Sequence, residues 1–545
     1  MKRILSFLVF SFSLSASFAQ LDNTVEVTNE VKPVVSDVKK VEVKAQVAET
    51  QVQHYTMQYA VQSQPLSSYA DSPLGEYGSD AVQKGNKRGY VHLGGGSHGN
   101  LDGQASYQFG LTDNDALSVD LTLKGFNGKS TENDAFGKYE WKSRDYKNRA
   151  ALQYGHRFDN GGEFFVKGGF ENRLFNYWSG AGETDKQHNV LGDATIGLTP
   201  YKTGAFVVGA EAGIKFFKQN YLTTLDDKLG EMLLQANASM AYDLTDEHRL
   251  GIGVNFVNST YDNDELEGVT RFRFTPHYIY NTKQMRLKLG VFANSEGNVA
   301  PDVSIAYHLT SCNDVYAEVR GYEEDNDFRR LTQLNPYFVP VAGEVKMEAE
   351  FHQIDAKVGY RMTGMNGFNA DISGGFDMSE NHADMVVLSQ SKKSLALPMV
   401  EFRKSRCFYV NADFSYAYKD VLRIDAKNRL NIESNKHDGE WVNGSYVRPA
   451  FDMDWKADFK IVKDLYIGLD WAFACYSEPD LAVNGKNYER DNTVNLGASI
   501  RYTLPVSVPF TLFVKGDNLL NQNYDRYFGY RNIGANFLAG LAVSF

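Results

Sequence analysis

Residues 536–545 read Asn-Phe-Leu-Ala-Gly-Leu-Ala-Val-Ser-Phe, with Phe537, Ala539, Leu541, Val543 and Phe545 on one face of an extended chain and Leu538, Gly540, Ala542 and Ser544 on the other. Successive side chains of a strand point to opposite faces, so this is one greasy side against one small or polar side. A strand of that kind ending on phenylalanine is how an outer-membrane β-barrel closes and is recognised by the barrel-assembly machinery for insertion. The stretch therefore predicts an all-β chain folded as a transmembrane antiparallel β-barrel. Its outer wall would meet lipid and lipopolysaccharide in the outer membrane of a Gram-negative bacterium.

The same alternation recurs upstream. Leu117, Val119, Leu121 and Leu123 oppose Ser118, Asp120, Thr122 and Lys124. Phe272, Phe274, Tyr278 and Tyr280 oppose Arg271, Arg273, Thr275 and His277, and Phe414, Tyr416 and Tyr418 oppose Asn411, Asp413 and Ser415. In residues 451–461, Met453, Trp455, Ala457 and Phe459 face outward, leaving Asp452, Asp454, Lys456, Asp458 and Lys460 inward. The charged face must meet water. A soluble β-sandwich would turn the apolar faces inward, but so many half-charged strands exceed what one sandwich core can use.

Connections alternate in length. Short turns at 112–115, 159–162, 245–248, 281–284, 363–367, 419–420 and 463–464 read as periplasmic; longer polar links at 127–146, 179–188, 219–228, 325–345, 433–445, 478–488 and 521–530 read as external. The strand count comes to 22–24, with hairpins near 94–100 and 391–407 unsettled. The 47 glycines, 32 tyrosines and 35 phenylalanines suit barrel walls and interface girdles, and only 13 prolines interrupt the ladders. A mean hydropathy of −0.40 is compatible with this, because alternation hides apolar residues from a window average.

At the chain's start, Lys2 and Arg3 precede an apolar run from Ile4 to Phe18, and Ser17-Phe18-Ala19 fits a small-x-small cleavage site. Residues 1–19 are expected to be a removed signal peptide, because the run falls short of the roughly 20 residues a spanning helix needs. Without Lys2 and Arg3 the 56 basic residues fall to 54 against 68 acidic ones, a net charge of −14, which argues against nucleic acid as a partner. Residues 20–88 show little periodicity and are too short for a plug domain of the usual ~100–150 residues. They line the lumen, dock a periplasmic partner, or remain disordered. Residues 89–545 form the barrel.

Val25-Glu26-Val27-Thr28-Asn29-Glu30-Val31-Lys32-Pro33 followed by Gly89-Tyr90-Val91-His92-Leu93-Gly94-Gly95-Gly96 resembles the start of the plugless, TonB-dependent-receptor-like barrels of Bacteroidota. Tyr59-Ala60-Val61 ahead of Pro65-Leu66 is similar to that family's lead-in to its first strand. Asn326-Asp327-Phe328-Arg329-Arg330-Leu331 leading to Asn335-Pro336-Tyr337 is similar to a loop those barrels share. Asp517-Asn518-Leu519-Leu520-Asn521 with Tyr524 is similar to the motif before the final strand of TonB-dependent receptors at large. The resemblance implies about 22 strands. Residues 24–28 faintly resemble a TonB box, but with no plug to pull there is little for energy coupling to act on.

Enzyme chemistry is not expected. Gly95-Gly96-Ser97-His98-Gly99 matches Gly-x-Ser-x-Gly, yet a nucleophile elbow needs a helix next and another strand follows. Cys312, Cys407 and Cys475 lack metal-ligand spacing, and no cofactor fingerprint occurs. Acidic runs at 262–265 and 323–327 lack the spacing of a calcium loop and read as solvated loops rather than metal sites. Inward Arg271, Arg273, Asp452, Asp454, Lys456 and Asp458 are candidate lumen-facing residues that either line a pore or pair across the wall. Two readings of function follow. One is a receptor-like or porin-like barrel for solute binding or passage; the other is a non-transporting accessory barrel of an assembly or secretion complex.

Overall fold

The computed structural model describes residues 88–545 apart from 135–136, 160, 181–182, 220–228, 263–265, 338–344, 366, 388–397, 478–489, 507, 509 and 528–529. The expected signal peptide and, but for Arg88, the segment 20–88 lie outside the described residues, as do the links 220–228 and 478–488.

Twenty-two strands form one closed ring. In chain order they are β1 Gly89–Gly96, β2 Leu101–Gly110, β3 Asp115–Asp134, β4 Gly137–Arg157, β5 Glu163–Gly180, β6 Glu183–Thr203, β7 Phe206–Gln219 and β8 Leu229–Asp243. There follow β9 His248–Tyr261, β10 Val269–Asn281, β11 Met285–Asn294, β12 Val299–Thr310, β13 Asn313–Glu324, β14 Glu350–Met365, β15 Phe368–Val387 and β16 Pro398–Tyr418. The last six are β17 Leu422–His437, β18 Phe451–Val462, β19 Leu465–Cys475, β20 Thr493–Thr503, β21 Phe510–Asp517 and β22 Asn536–Ser544. Each strand pairs antiparallel with its sequence neighbour. A further short strand, Glu440–Asn443, pairs with the end of β17 outside the ring.

The seam explains the terminal sequence. Strand β22 lies between β21 and β1, so that Leu541 stands opposite both Leu512 and Leu93, and all three are exposed on the outer wall. Phe545 continues the ladder: its N–H donates to the Gly89 carbonyl at 2.9 Å, and its own carbonyl accepts from the N–H groups of Arg88 and Gly89 at 2.8 Å. Close approach at the other end of the seam requires glycine, since a Cβ on Gly96 would sit 1.9 Å from the Phe537 carbonyl oxygen. Phe537, Leu541 and Phe545 are exposed, whereas Leu538 and Ala542 pack inward with Tyr90 and Phe513.

The outer wall carries large exposed apolar side chains around the ring, among them Leu121, Leu152, Phe170, Ile196, Met240, Phe272, Val358, Phe408, Leu469 and Ile500. Leaving such side chains in water forfeits about 1.5–3 kcal/mol each, so their solvent is the hydrocarbon of a bilayer. By the usual sidedness, the end bearing the short turns faces the periplasm and the end bearing the long connections faces outward.

Two expected external links are strands instead. The β3–β4 ladder continues to Asp134 opposite Gly137, and the β5–β6 ladder to Gly180 opposite Glu183, so 127–146 and 179–188 are hairpin extensions. Beyond the bilayer an outward residue need not be apolar, so the alternation that marks a strand fades although the pairing goes on. The strand count settles at the lower edge of the expected range. The hairpin at 94–100 is the β1–β2 turn, in which His98 takes a left-handed φ of 54°. Within it, Ser97 Oγ accepts from the Phe537 N–H at 2.9 Å. The Gly-x-Ser-x-Gly stretch thus pins the first hairpin to the last strand.

Candidate functional site

In the connection between β13 and β14, residues 325–337 turn into the barrel. They carry helix α1, Phe328–Leu334. Asp327 caps the helix, its side chain accepting from the Arg330 N–H at 2.7 Å, as a short polar side chain at that position favours. Phe328 and Leu331 are wholly buried in one apolar cluster with Leu191 of β6, Phe217 of β7, Leu229 of β8, Met385 of β15 and Val400 of β16. Those strands lie on widely separated arcs of the ring. A helix emerging between β13 and β14 can join both arcs only by crossing the space they enclose.

Polar contacts fix the crossing. The Phe328 N–H donates to Glu231 Oε2 of β8 at 2.9 Å, and Arg329 reaches Asp193 of β6 at 3.3 Å. Burial pushes the Asp327 carboxyl above its ordinary pKa, with the Asp325 charge adding to the effect against Lys215 and the Arg330 N–H. For Arg330, burial works to lower the pKa, but the Glu350 and Glu324 carboxylates outweigh it and hold the guanidinium above its ordinary value.

A second loop, residues 518–535, meets the first. Tyr337 stacks on Tyr530 with ring centroids 3.6 Å apart, and packs edge-on against Phe175 of β5. Arg526 pairs with Asp145 of β4 at 3.2 Å and lies over the Phe126 ring, and Arg173 of β5 bonds both Asp145 and the Tyr527 hydroxyl. The Asp-Asn-Leu-Leu-Asn stretch starts this loop for a local reason. Asn518 and Asn521 take left-handed φ values of 48° and 51°, which asparagine tolerates. Their side chains bind the Gln522 and Ala535 N–H groups at 2.9 and 3.0 Å.

The structure places the two arginines of β10 at the root of the inward loop. Arg271 pairs with Asp325 at 3.4 Å and Glu296 at 3.5 Å and donates to the Met347 carbonyl at 2.6 Å. Arg273 grips Glu323 at 2.7 Å and Asp325 at 2.5 Å. They brace a loop. The acidic run 323–327 is therefore not the solvated loop expected from its composition. Every member is engaged, because the arginines that neutralise it come from a distant strand and from α1, a pairing that adjacent sequence does not display.

On β18, Asp452, Asp454, Lys456 and Asp458 stand opposite Arg429, Lys427, Asp425 and Arg423 of β17, an opposite charge at every position. Asp458 also pairs with Arg501 of β20. Exposure rises along the strand: Asp452 is 2% exposed near the outer end, whereas the Lys456 side chain is 61% exposed farther down. The β18 group and the β10 arginines do not form one site. What the sequence reading missed was the inward course of 325–337; its signal was the capped apolar helix, Asp327 with Phe328 and Leu331, inside a nominal external loop.

No family model matches the chain, and no curated protein does. Solved structures do match in shape. The FrpB iron transporter of Neisseria meningitidis aligns with a TM-score of 0.65 at 11% identity, over 85% of this chain and 82% of that one. The ferric enterobactin receptor PfeA of Pseudomonas aeruginosa, in a variant with enterobactin bound, aligns at 0.62 and 12% identity, over 84% and 81%. The ferric-catecholate import receptor Fiu of E. coli K12 in its closed form aligns at 0.60 and 10% identity, over 84% and 82%. At such identities the likeness is one of fold: a large antiparallel β-barrel.

Proposed function

We propose that the chain is an outer-membrane receptor-like or porin-like barrel that binds or passes a solute, with its own loops, rather than a separate plug domain, narrowing the lumen. The observation that carries this reading is α1, which crosses the interior from β13–β14 to the wall at β6–β8. A barrel of this strand number is wide enough to need internal filling, and side chains from the wall alone do not supply it. Transport proteins share the architecture: the shape matches include an iron transporter, a ferric enterobactin receptor and a ferric-catecholate import receptor. In this reading residues 1–19 are removed on export, residues 20–88 form a partial stopper or a periplasmic docking tail, and the outer wall contacts lipid and lipopolysaccharide. The family likeness to plugless Bacteroidota barrels belongs to the same proposal.

Planar-bilayer recording tests it. The mature chain is expected to carry a steady ion current, changed little by deletion of residues 22–83. Absence of current from both forms, with periplasmic proteins co-purifying through 20–88, would return the accessory-barrel reading.

A further inference from the structure

The ends of β13 and β14 bring two carboxylates face to face. Glu324 is the register partner of Glu350, and Tyr322 that of His352, all on the inward face. Like charges directly opposed on neighbouring strands are a cost unless a cation sits between them. The cation now there is Arg330 of α1, whose guanidinium contacts Glu350 and lies 3.0 Å from Glu324. Ligand atoms of Glu324, Glu350 and His352 all lie within 4.8 Å of one another.

His352 is the second, independent observation. Its Nδ1 lies in hydrogen-bond contact with Asp377 Oδ1 at 2.7 Å, so that with an ion bound at Nε2 the ring proton would sit on Nδ1, held by that carboxylate. That Nε2 makes no hydrogen bond to any described residue, lies 3.5 Å from Glu350 Oε1, and belongs to a side chain only 4% exposed. Tyr322 stacks on the imidazole at 4.3 Å and fixes its plane. A carboxylate holding one ring nitrogen so that the other is presented is the outer-shell arrangement of a metal-ligating histidine. His382 adds another imidazole, its Nδ1 2.7 Å from Glu350 Oε1 and its Nε2 3.4 Å from Glu433. The carboxylates of Glu324, Glu350, Asp377 and Glu433 are countered by the guanidiniums of Arg330 and Arg448, leaving two negative charges for the imidazoles or a dication to balance.

We infer that Glu324, Glu350 and His352 form a binding site for one divalent transition-metal ion of borderline softness, and that the ion takes the place of the Arg330 guanidinium. Mixed nitrogen and carboxylate donors suit zinc and its neighbours, whereas calcium would want more oxygens and no imidazole. Because Arg330 is on α1, occupancy removes both of the ion pairs, to Glu324 and Glu350, by which that residue holds the lumen-crossing helix to the wall. Metal binding is independent of solute passage, so it is measurable whether or not the barrel conducts.

The test is zinc titration of the full-length mature barrel in detergent micelles, by calorimetry and by equilibrium dialysis. One chelator-removable zinc per chain is expected, with His352→Ala abolishing it. Asp377→Asn, which leaves all three ligands in place, should weaken binding by about 10–100-fold. Arg330→Gln should tighten it by at least about tenfold, because the competing charge is gone. Equal zinc affinity in the wild type, His352→Ala and Asp377→Asn would overturn the site, as would no zinc bound by either the wild type or Arg330→Gln.

Discussion

The outer and inner halves of the lumen wall are written in the same code and serve different ends. Toward the outside, Arg271, Arg273 and Asp452 are almost sealed from water. Toward the periplasm, Lys456 and Asp458, on the same kind of inward position, have side chains 61% and 40% exposed. Strand period assigns each residue to a wall, but it is silent about depth. At Arg271 and Arg273 what makes the difference is the chain after β13, whose Asp325 and Met347 lie over the outer half and convert inward charges from solvated wall groups into anchors. An inward charge is thus a pore residue only where no loop has claimed it.

Erasing the difference should have the largest effect. Deleting residues 328–337 takes out α1 together with Tyr337, and with them the contacts to β6–β8 and to Tyr530. The ring itself does not depend on them, since its ladders run strand to strand. Single-channel conductance in planar bilayers is expected to rise several-fold, with the heat-resistant folded form retained. An unchanged conductance would mean that the crossing loop does not lie in the conduction path.

A single anchor offers a finer cut. Arg273→Ala strands Glu323 in a buried setting and leaves Asp325 to Arg271 alone, and breaking a buried ion pair from one side costs about 3–5 kcal/mol. The expected outcome is faster proteolysis within 325–349 from the outer face and a lowered unfolding midpoint. Arg273→Lys should recover only part of the loss, because an ammonium lacks the guanidinium fork that grips both carboxylates.

The ring was readable because lipid enforces alternation: Leu93, Leu541 and Leu512 each had to be apolar, and each announces its face. Strand continuity above the bilayer was not, because no lipid there forces an outward residue of 127–146 or 179–188 to be apolar. The inward charges were legible as inward, and the opposition of Asp452 to Arg429 or Asp454 to Lys427 follows only once register is known. The course of residues 325–337 was hidden for a different reason. Their partners Phe217, Leu229 and Met385 come from strands far apart in sequence, and nothing local states which of them a loop will meet.

The junction of the two loops can be probed with less force. Tyr337 is buried and stacked on Tyr530, so Tyr337→Ala should cost about 3 kcal/mol of local stability, in the range of large-to-small changes at a packed aromatic. Tyr337→Phe keeps the ring and should cost far less. Protease sensitivity of 518–535 is the readout, because a change there after a substitution in 325–349 reports that the loops hold each other.

The smallest effect on stability is expected where the inward face is most exposed. Lys456 is mostly exposed, so Lys456→Gln should leave unfolding within about 0.5 kcal/mol of the wild type. It does remove a positive charge from among Asp425, Asp454 and Asp458, leaving that stretch of wall more negative. If the inner half is the water-filled part of a conducting path, ion selectivity should move toward cations while conductance changes little, as reversal potentials in a salt gradient will show. The same neutralisation at Arg271 should behave in the opposite way, perturbing the fold and leaving selectivity to whatever the released loop exposes. If the two substitutions gave the same signature, the division of the lumen into a braced outer half and a wet inner half would be wrong.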